Sequence, residues 1–230
     1  MAIPAGYRDM LLSGMFTTLT LALSALALAL CLGLLVALAR QSGGRIARAL
    51  AGTYATVMRG TPDIAMMLLL YFSLQIWLNM ATDALGIGQI EISPFGAGAI
   101  VLGVIYGAYF SETFRGAFMA VPKGQIEAGL AYGLTRGACF RHILFPQMMR
   151  FALPGMANNW LVMVKATAVV SLVGLPDITR AAINAGKGSG QVMFYLLICA
   201  GFYLIVTALS TLLIGWLNRR YSVGVREVAL

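Results

Sequence analysis

The amino-acid sequence predicts an all-α polytopic membrane protein with five transmembrane helices. Three observations lead there. Of the 230 residues, 60% are hydrophobic and 10% charged, where a typical soluble domain carries about 25% charged residues. The mean hydropathy is +0.86, so in water most apolar side chains would have no core to enter. The charges are also spaced widely enough to leave uncharged intervals of the ~20 residues that a helix needs to cross a hydrocarbon core. The same composition excludes a disordered chain. Three cysteines, Cys31, Cys139 and Cys199, all in apolar or helix-like surroundings, do not make a disulfide scaffold. A single histidine leaves no Cys/His cluster of metal-binding spacing.

The spans follow from the charges in order, and the whole chain, 1–230, reads as one transmembrane domain. Between Asp9 and Arg40 lies the first span, about 13–39. Its apolar run is about twice a signal-peptide core, and basic residues follow rather than lead it, so it is read as a span and not as a cleaved signal. The second, about 50–79, contains Arg59-Gly60-Thr61-Pro62-Asp63. That breaker predicts either a long span broken near its middle or a helix that starts at Pro62. The third runs over about 95–120, the fourth over 153–176 with Lys165 inside it, and the fifth over 190–217.

Five spans put the termini on opposite sides. One side carries Arg8, Arg180 and Lys187. The other carries eleven basic residues: Arg40, Arg45, Arg48, Arg59, Lys123, Arg136, Arg141, Arg150, Arg219, Arg220 and Arg226. By the positive-inside rule the carboxyl terminus is cytoplasmic and the amino terminus outside. A basic cytoplasmic face accounts for the net charge of +8 without a nucleic-acid partner.

The long loop 121–150 lies on the basic side. Pro122 and Gly124 break the third span. Helical spacing resumes from Gln125, and Gly133, Gly137 and Pro146 punctuate it. The loop therefore reads as a short helix, a glycine-containing turn, a second short helix and a break at Pro146. Without further information it is an amphipathic loop lying on lipid headgroups.

Glu127-Ala128-Gly129, then Gly133, then Ile143 and Pro146 resemble the cytoplasmic loop of ATP-binding-cassette importer permeases. This chain has Gly129 where the third position is usually Ala, and Phe145 where Leu is usual. The resemblance extends along nearly the whole chain. Arg59-Gly60-Thr61-Pro62, Gly107-Ala108-Tyr109, Arg115-Gly116-Ala117 and the tail Arg220-Tyr221-Ser222-Val223-Gly224 look like polar amino-acid permeases. Asp63, the run from Ser111 to Gly124 and Asn158-Asn159-Trp160 are similar to Q-type permeases of histidine, lysine, arginine, ornithine and opine importers.

That resemblance implies a type I importer permease fold in a bacterial inner membrane, which makes the outer, amino-terminal side periplasmic. It implies a second, M-type permease, a homodimeric cytoplasmic ATP-binding subunit and a periplasmic solute-binding receptor as partners. The chain itself has no phosphate-binding loop, since Ala185-Gly186-Lys187-Gly188 lacks the upstream glycine spacing and a following Ser/Thr. ATP and Mg would thus be held by the partner, with no cofactor here. Glu127, Ala128, Gly129, Gly133 and Arg136 are the expected ATPase-coupling residues. Glu127 offers a charge and suits a helix amino terminus. Ala128 and Gly129 allow close approach, and Gly133 permits the turn.

Intramembrane polar residues are the candidates for the pathway. Glu112, Asp63, Thr61 and Tyr109 are the expected substrate-binding residues. Two readings of Glu112 coexist: a pathway acid, or an i,i+3 bridge to Arg115. Asp63 reads as an acid for a cationic substrate group beside exposed helix N–H groups that suit a carboxylate. It also reads as a helix cap, or as an i,i+4 partner of Arg59. Tyr106 and Tyr109 fall on one side and serve either the pathway or packing. Lys165 pairs or snorkels, and Asn158 and Asn159 cap or cross-link helices. A stand-alone secondary transporter is the alternative class. Five spans are few for one, and no internal repeat or relay of carboxylates is visible. Opines or other polar amino acids are the alternative substrates.

Overall fold

The computed structural model describes residues 4–88 and 90–221. Arg226 and the tail motif 222–224 lie outside them. Among the described residues the chain is helical, with no strand. Five helical segments are long and apolar enough to cross a membrane: 5–41, 63–84, 94–120, 136–173 and 192–221. The elements are α1 Ala5–Ser42, α2 Arg45–Gly60, α3 Asp63–Ala84, α4 Pro94–Ala120, α5 Lys123–Ala131, α6 Arg136–Cys139, α7 Phe145–Val170, α8 Ile178–Ser189 and α9 Val192–Tyr221. A π turn, Phe140–Leu144, joins α6 to α7.

Local chemistry marks the boundaries. The Ser93 hydroxyl accepts from Gly96 N at 3.1 Å, with Pro94 at the first helical position of α4, the favoured arrangement at a helix start. Asp177 caps α8 in the same way, accepting from Arg180 N at 2.9 Å. Gly190 ends α8 in the left-handed conformation, φ 72°, where a Cβ is penalised.

The core is built on α1 and α4. Leu21, Ala25 and Ala29 of α1 are buried with Leu102, Ile105 and Phe110 of α4. Glycines bring the two backbones together. A Cβ at Gly33 would sit 2.7 Å from Phe110 Cβ, and one at Gly103 2.7 Å from Leu28 Cβ. This is the small-residue packing that lipid-embedded helices rely on, since apolar tails give no hydrophobic drive between them. A second cluster joins Leu11 and Ala22 of α1 to Ile178, Tyr195 and Phe202 of α8 and α9. By contrast, α3 and α9 expose Leu69, Phe72, Ile76, Leu204, Ile205 and Leu212, as helices facing lipid do. The central position of α4 makes it the helix on which polar side chains are shielded from lipid.

Two elements differ in detail from the sequence reading. The segment 50–79 is divided: α2 ends at Gly60 and α3 begins at Asp63 after Pro62. The backbone does not break at Pro146. From Arg136 to Val170 it stays helical, because the π turn absorbs one extra residue and Pro146 falls in the first turn of α7. A proline there lacks only an N–H that the helix can do without.

Candidate functional site

The site begins at the break between α2 and α3. The Thr61 hydroxyl turns back to donate to Val57 O at 2.9 Å, so it closes α2. Asp63 then opens α3. Its carboxylate faces α4, where Tyr106 donates to Oδ2 at 3.2 Å and Tyr109 to Oδ1 at 3.1 Å. The two tyrosines are three residues apart on one helix, so their rings stack, with centroids 5.5 Å apart. Both stand about half-way along α4. The break therefore places a carboxylate at mid-helix depth.

One turn further along α4, Glu112 gathers cations. Its Oε1 accepts from Arg40 Nη1. Its Oε2 accepts from Arg115 Nε at 2.9 Å and lies 2.8 Å from Nη2. The i,i+3 bridge expected between Glu112 and Arg115 thus forms. Arg59 Nη1 is 3.7 Å from Oε1, and the Arg59 guanidinium carbon lies 5.7 Å from the Tyr109 ring centroid. Arg59 is turned toward Glu112 and Tyr109, and no ion pair forms between it and Asp63 among the described residues. Two acids and three guanidiniums from α1, α2, α3 and α4 make one array.

Arg40 escaped the sequence reading as a site residue, because it lies 72 positions from Glu112 and reads as one more basic residue at a helix end. Lys165 is exposed and makes no ion pair among the described residues. Asn159 donates to Thr113 Oγ1 at 3.0 Å, tying α7 to α4. An apolar cavity of about 260 Å³ lies between α1, α7 and α9, lined by Leu23, Leu26, Trp160 and Leu213; its surface suits no charged ligand. No group of His, Cys, Asp or Glu that could hold a metal exists among the described residues.

The second site is α5. Glu127 and Ala128 are exposed, whereas Gly129 is buried. A Cβ at Gly129 would meet Ile143 Cδ1 at 2.5 Å and Cys139 Sγ at 3.0 Å, which gives the departure from Ala at this position a packing reason. Gly133 has φ 82°, so the turn after α5 uses the conformation that favours glycine. Arg136 is exposed at the start of α6, where the Thr135 hydroxyl accepts from Ala138 N at 3.2 Å. The burial of Gly129 fixes α5 on the π turn and leaves Glu127 and Ala128 facing out.

Residues 29–223 match the family described as binding-protein-dependent transport system inner membrane component. The chain is 50% identical over 225 residues to the histidine/lysine/arginine/ornithine transport system permease protein HisQ of Escherichia coli (strain K12), covering 98% of this chain and 99% of that protein. It is 38% identical to the arginine ABC transporter permease protein ArtQ of Haemophilus influenzae, over 92% of this chain and 95% of that one. It is 37% identical to the octopine transport system permease protein OccQ of Rhizobium radiobacter, over 90% and 88%. Among solved structures, one described as an amino acid ABC transporter with histidines superposes with a TM-score of 0.77 at 30% identity, covering 94% of this chain and 95% of that one. The MetNI methionine ABC transporter, inward facing, gives a TM-score of 0.70 at 18% identity over 96% and 99%, a likeness of fold.

Proposed function

This chain belongs to the family of inner membrane components of binding-protein-dependent transport systems, and we propose that it is the permease subunit of an ATP-driven importer for basic amino acids. Histidine, lysine, arginine and ornithine are the expected substrates, from the relative at 50% identity. Relatives named for arginine and octopine keep opines as the alternative. With the basic face inward, the amino terminus is periplasmic, the carboxyl terminus cytoplasmic, and α5 cytoplasmic.

An M-type permease completes the pathway. A homodimeric ATP-binding subunit holds ATP and Mg against α5, and a periplasmic receptor delivers the substrate. The observation that carries the coupling is the orientation of α5: Gly129 is packed inward, and Glu127 and Ala128 face out. Glu127, with Gly133 and Arg136 framing the turn, meets basic groups of the ATPase. On the pathway, Asp63 takes the substrate's cationic group with Tyr109 beside it and Thr61 at the break. Glu112, its oxygens taken by Arg40 and Arg115, serves that wall of α4 by holding the guanidiniums beside the Asp63 site.

The test is purification through a tag on this chain, followed by ATPase assay in proteoliposomes. A second permease and an ATPase subunit should co-purify, and receptor loaded with a basic amino acid should stimulate hydrolysis. Glu127→Lys should remove that dependence on loaded receptor. Unaltered receptor-stimulated hydrolysis and uptake in Glu127→Lys would refute the coupling role, and transport by the chain alone without ATP would refute the importer reading.

A further inference from the structure

We propose that Arg59 is the group that receives the substrate's α-carboxylate; this rests on the reading of Asp63 as the acid for the cationic group. Charge comes first. Arg40, Arg59 and Arg115 gather at Glu112, and Asp63 stands on the same wall against Tyr106 and Tyr109, which leaves one guanidinium in excess among the five charges. Charge within a membrane span is costly and is characteristic of sites that meet an ion of opposite sign.

Geometry says which arginine is in excess. Glu112 gives one oxygen to Arg40 and the other to Arg115. Arg59 stands 3.7 Å from Oε1, outside the roughly 2.7–2.9 Å of a charge-assisted hydrogen bond. It is also the most exposed of the three, at 44% against 35% and 22%. The Tyr109 ring lies 5.7 Å from its guanidinium carbon, and a ring face engages the plane of a guanidinium while leaving its N–H edge to bond elsewhere.

Tyr109 therefore touches both charges, with its ring near Arg59 and its hydroxyl on Asp63 at 3.1 Å. A basic amino acid carries an α-ammonium, a cationic side chain and a carboxylate, so Asp63 and Arg59 offer a partner to one cation and to the anion. The N–H groups at the start of α3, expected from the sequence to suit the carboxylate, are less favourable. Asp63 already occupies that first turn and repels a second anion.

The test isolates the transmembrane site from the receptor, which selects substrates of its own. The assembled permease–ATPase complex without receptor, in lipid nanodiscs, is titrated with L-arginine and with agmatine, its decarboxylated analogue. The unmodified complex should bind arginine on the order of tenfold or more tighter, the size of one hydrogen bond to a charged group. Arg59→Gln should bring arginine down to agmatine and leave agmatine equal or tighter. Arg59→Lys, which keeps the charge, should retain part of the preference and guards against a Gln variant that does not assemble. An unchanged ratio in Arg59→Gln, or equal losses for both ligands, overturns the proposal. Asp63→Asn should weaken both ligands. If it weakens neither, or if the unmodified complex binds neither, the site reading fails, and the assignment of Arg59 with it.

Discussion

Replacement of Glu112 by Gln tests whether the array is held together by charge. Glu112 is 19% exposed and Arg40 22%, so this pair is largely out of solvent; Arg115 is 35% exposed and counts for less. A hydrogen bond to a charged group contributes about 1.5–3 kcal/mol, and breaking a fully buried pair costs about 3–5 kcal/mol. With partial exposure of all partners, Glu112→Gln should cost about 2–4 kcal/mol. For a chain of this length each kcal/mol moves the thermal midpoint by about 2–4 °C, so a drop of roughly 4–16 °C is expected. Cys139 and Cys199 are buried, and a thiol-reactive dye added to the detergent-purified complex reads their exposure on heating. Adding Arg40→Met removes one of the cations left in excess and should return at least half of the loss. A drop of less than about 1 °C, or a double variant whose losses simply add, would refute the view that Glu112 is the counter-ion of the cluster.

Two further outcomes follow from packing and from burial. Gly129→Ala should lower the midpoint, because the new methyl overlaps Ile143 Cδ1. In an Ile143→Val background, which lacks that atom, the same change should cost clearly less, since only the Cys139 Sγ contact at 3.0 Å remains and alanine is favoured over glycine in a helix by about 0.8–1 kcal/mol; an equal drop in both backgrounds would discard the contact. At Asp177, outside the spans, burial pushes the carboxyl above its usual range, and Oδ2 has no hydrogen-bond partner among the described residues. A raised folded-state pKa means that stability is fully present below the ordinary carboxylate range and is lost as pH rises through the raised value. Asp177→Asn keeps a capping side chain and should flatten that decline between acid and neutral pH; parallel midpoint curves for the two proteins would show that Asp177 does not titrate there.

Much of this architecture was legible before any coordinates. Widely spaced charges announce five spans, and Gly60-Thr61-Pro62 announces the break that delivers Asp63 to α4. The three-residue spacings of Tyr106–Tyr109 and Glu112–Arg115 put their side chains on shared faces, as found. What escaped depends on tertiary distance or on a one-residue change of winding. Arg40 reaches Glu112 only because α1 packs along α4. Arg59 has Asp63 at i,i+4 but turns toward Glu112 and the Tyr109 ring instead, a choice local spacing does not decide. Pro146 reads as a stop, and only the π turn before it shows how the helix carries on. The burial of Gly129 against Ile143 is equally silent, since neither residue carries polarity or charge.

The unbroken helical path from Arg136 to Val170 also bears on transport stoichiometry. At 1.5 Å per residue it is about 50 Å long, with Pro154 in its interior, fixed at one end to α5 through Gly129 and Ile143 and tied along its length to α4 by Asn159 and Thr113. On the coupling proposed above, a displacement entering at α5 reaches the Asn159–Thr113 tie only through the π turn and Pro154, the two places where such a helix bends. The ratio of ATP consumed to amino acid imported should then respond to Pro154→Ala, which removes one of those joints, and stay insensitive to substitutions on the outward face of α7 itself.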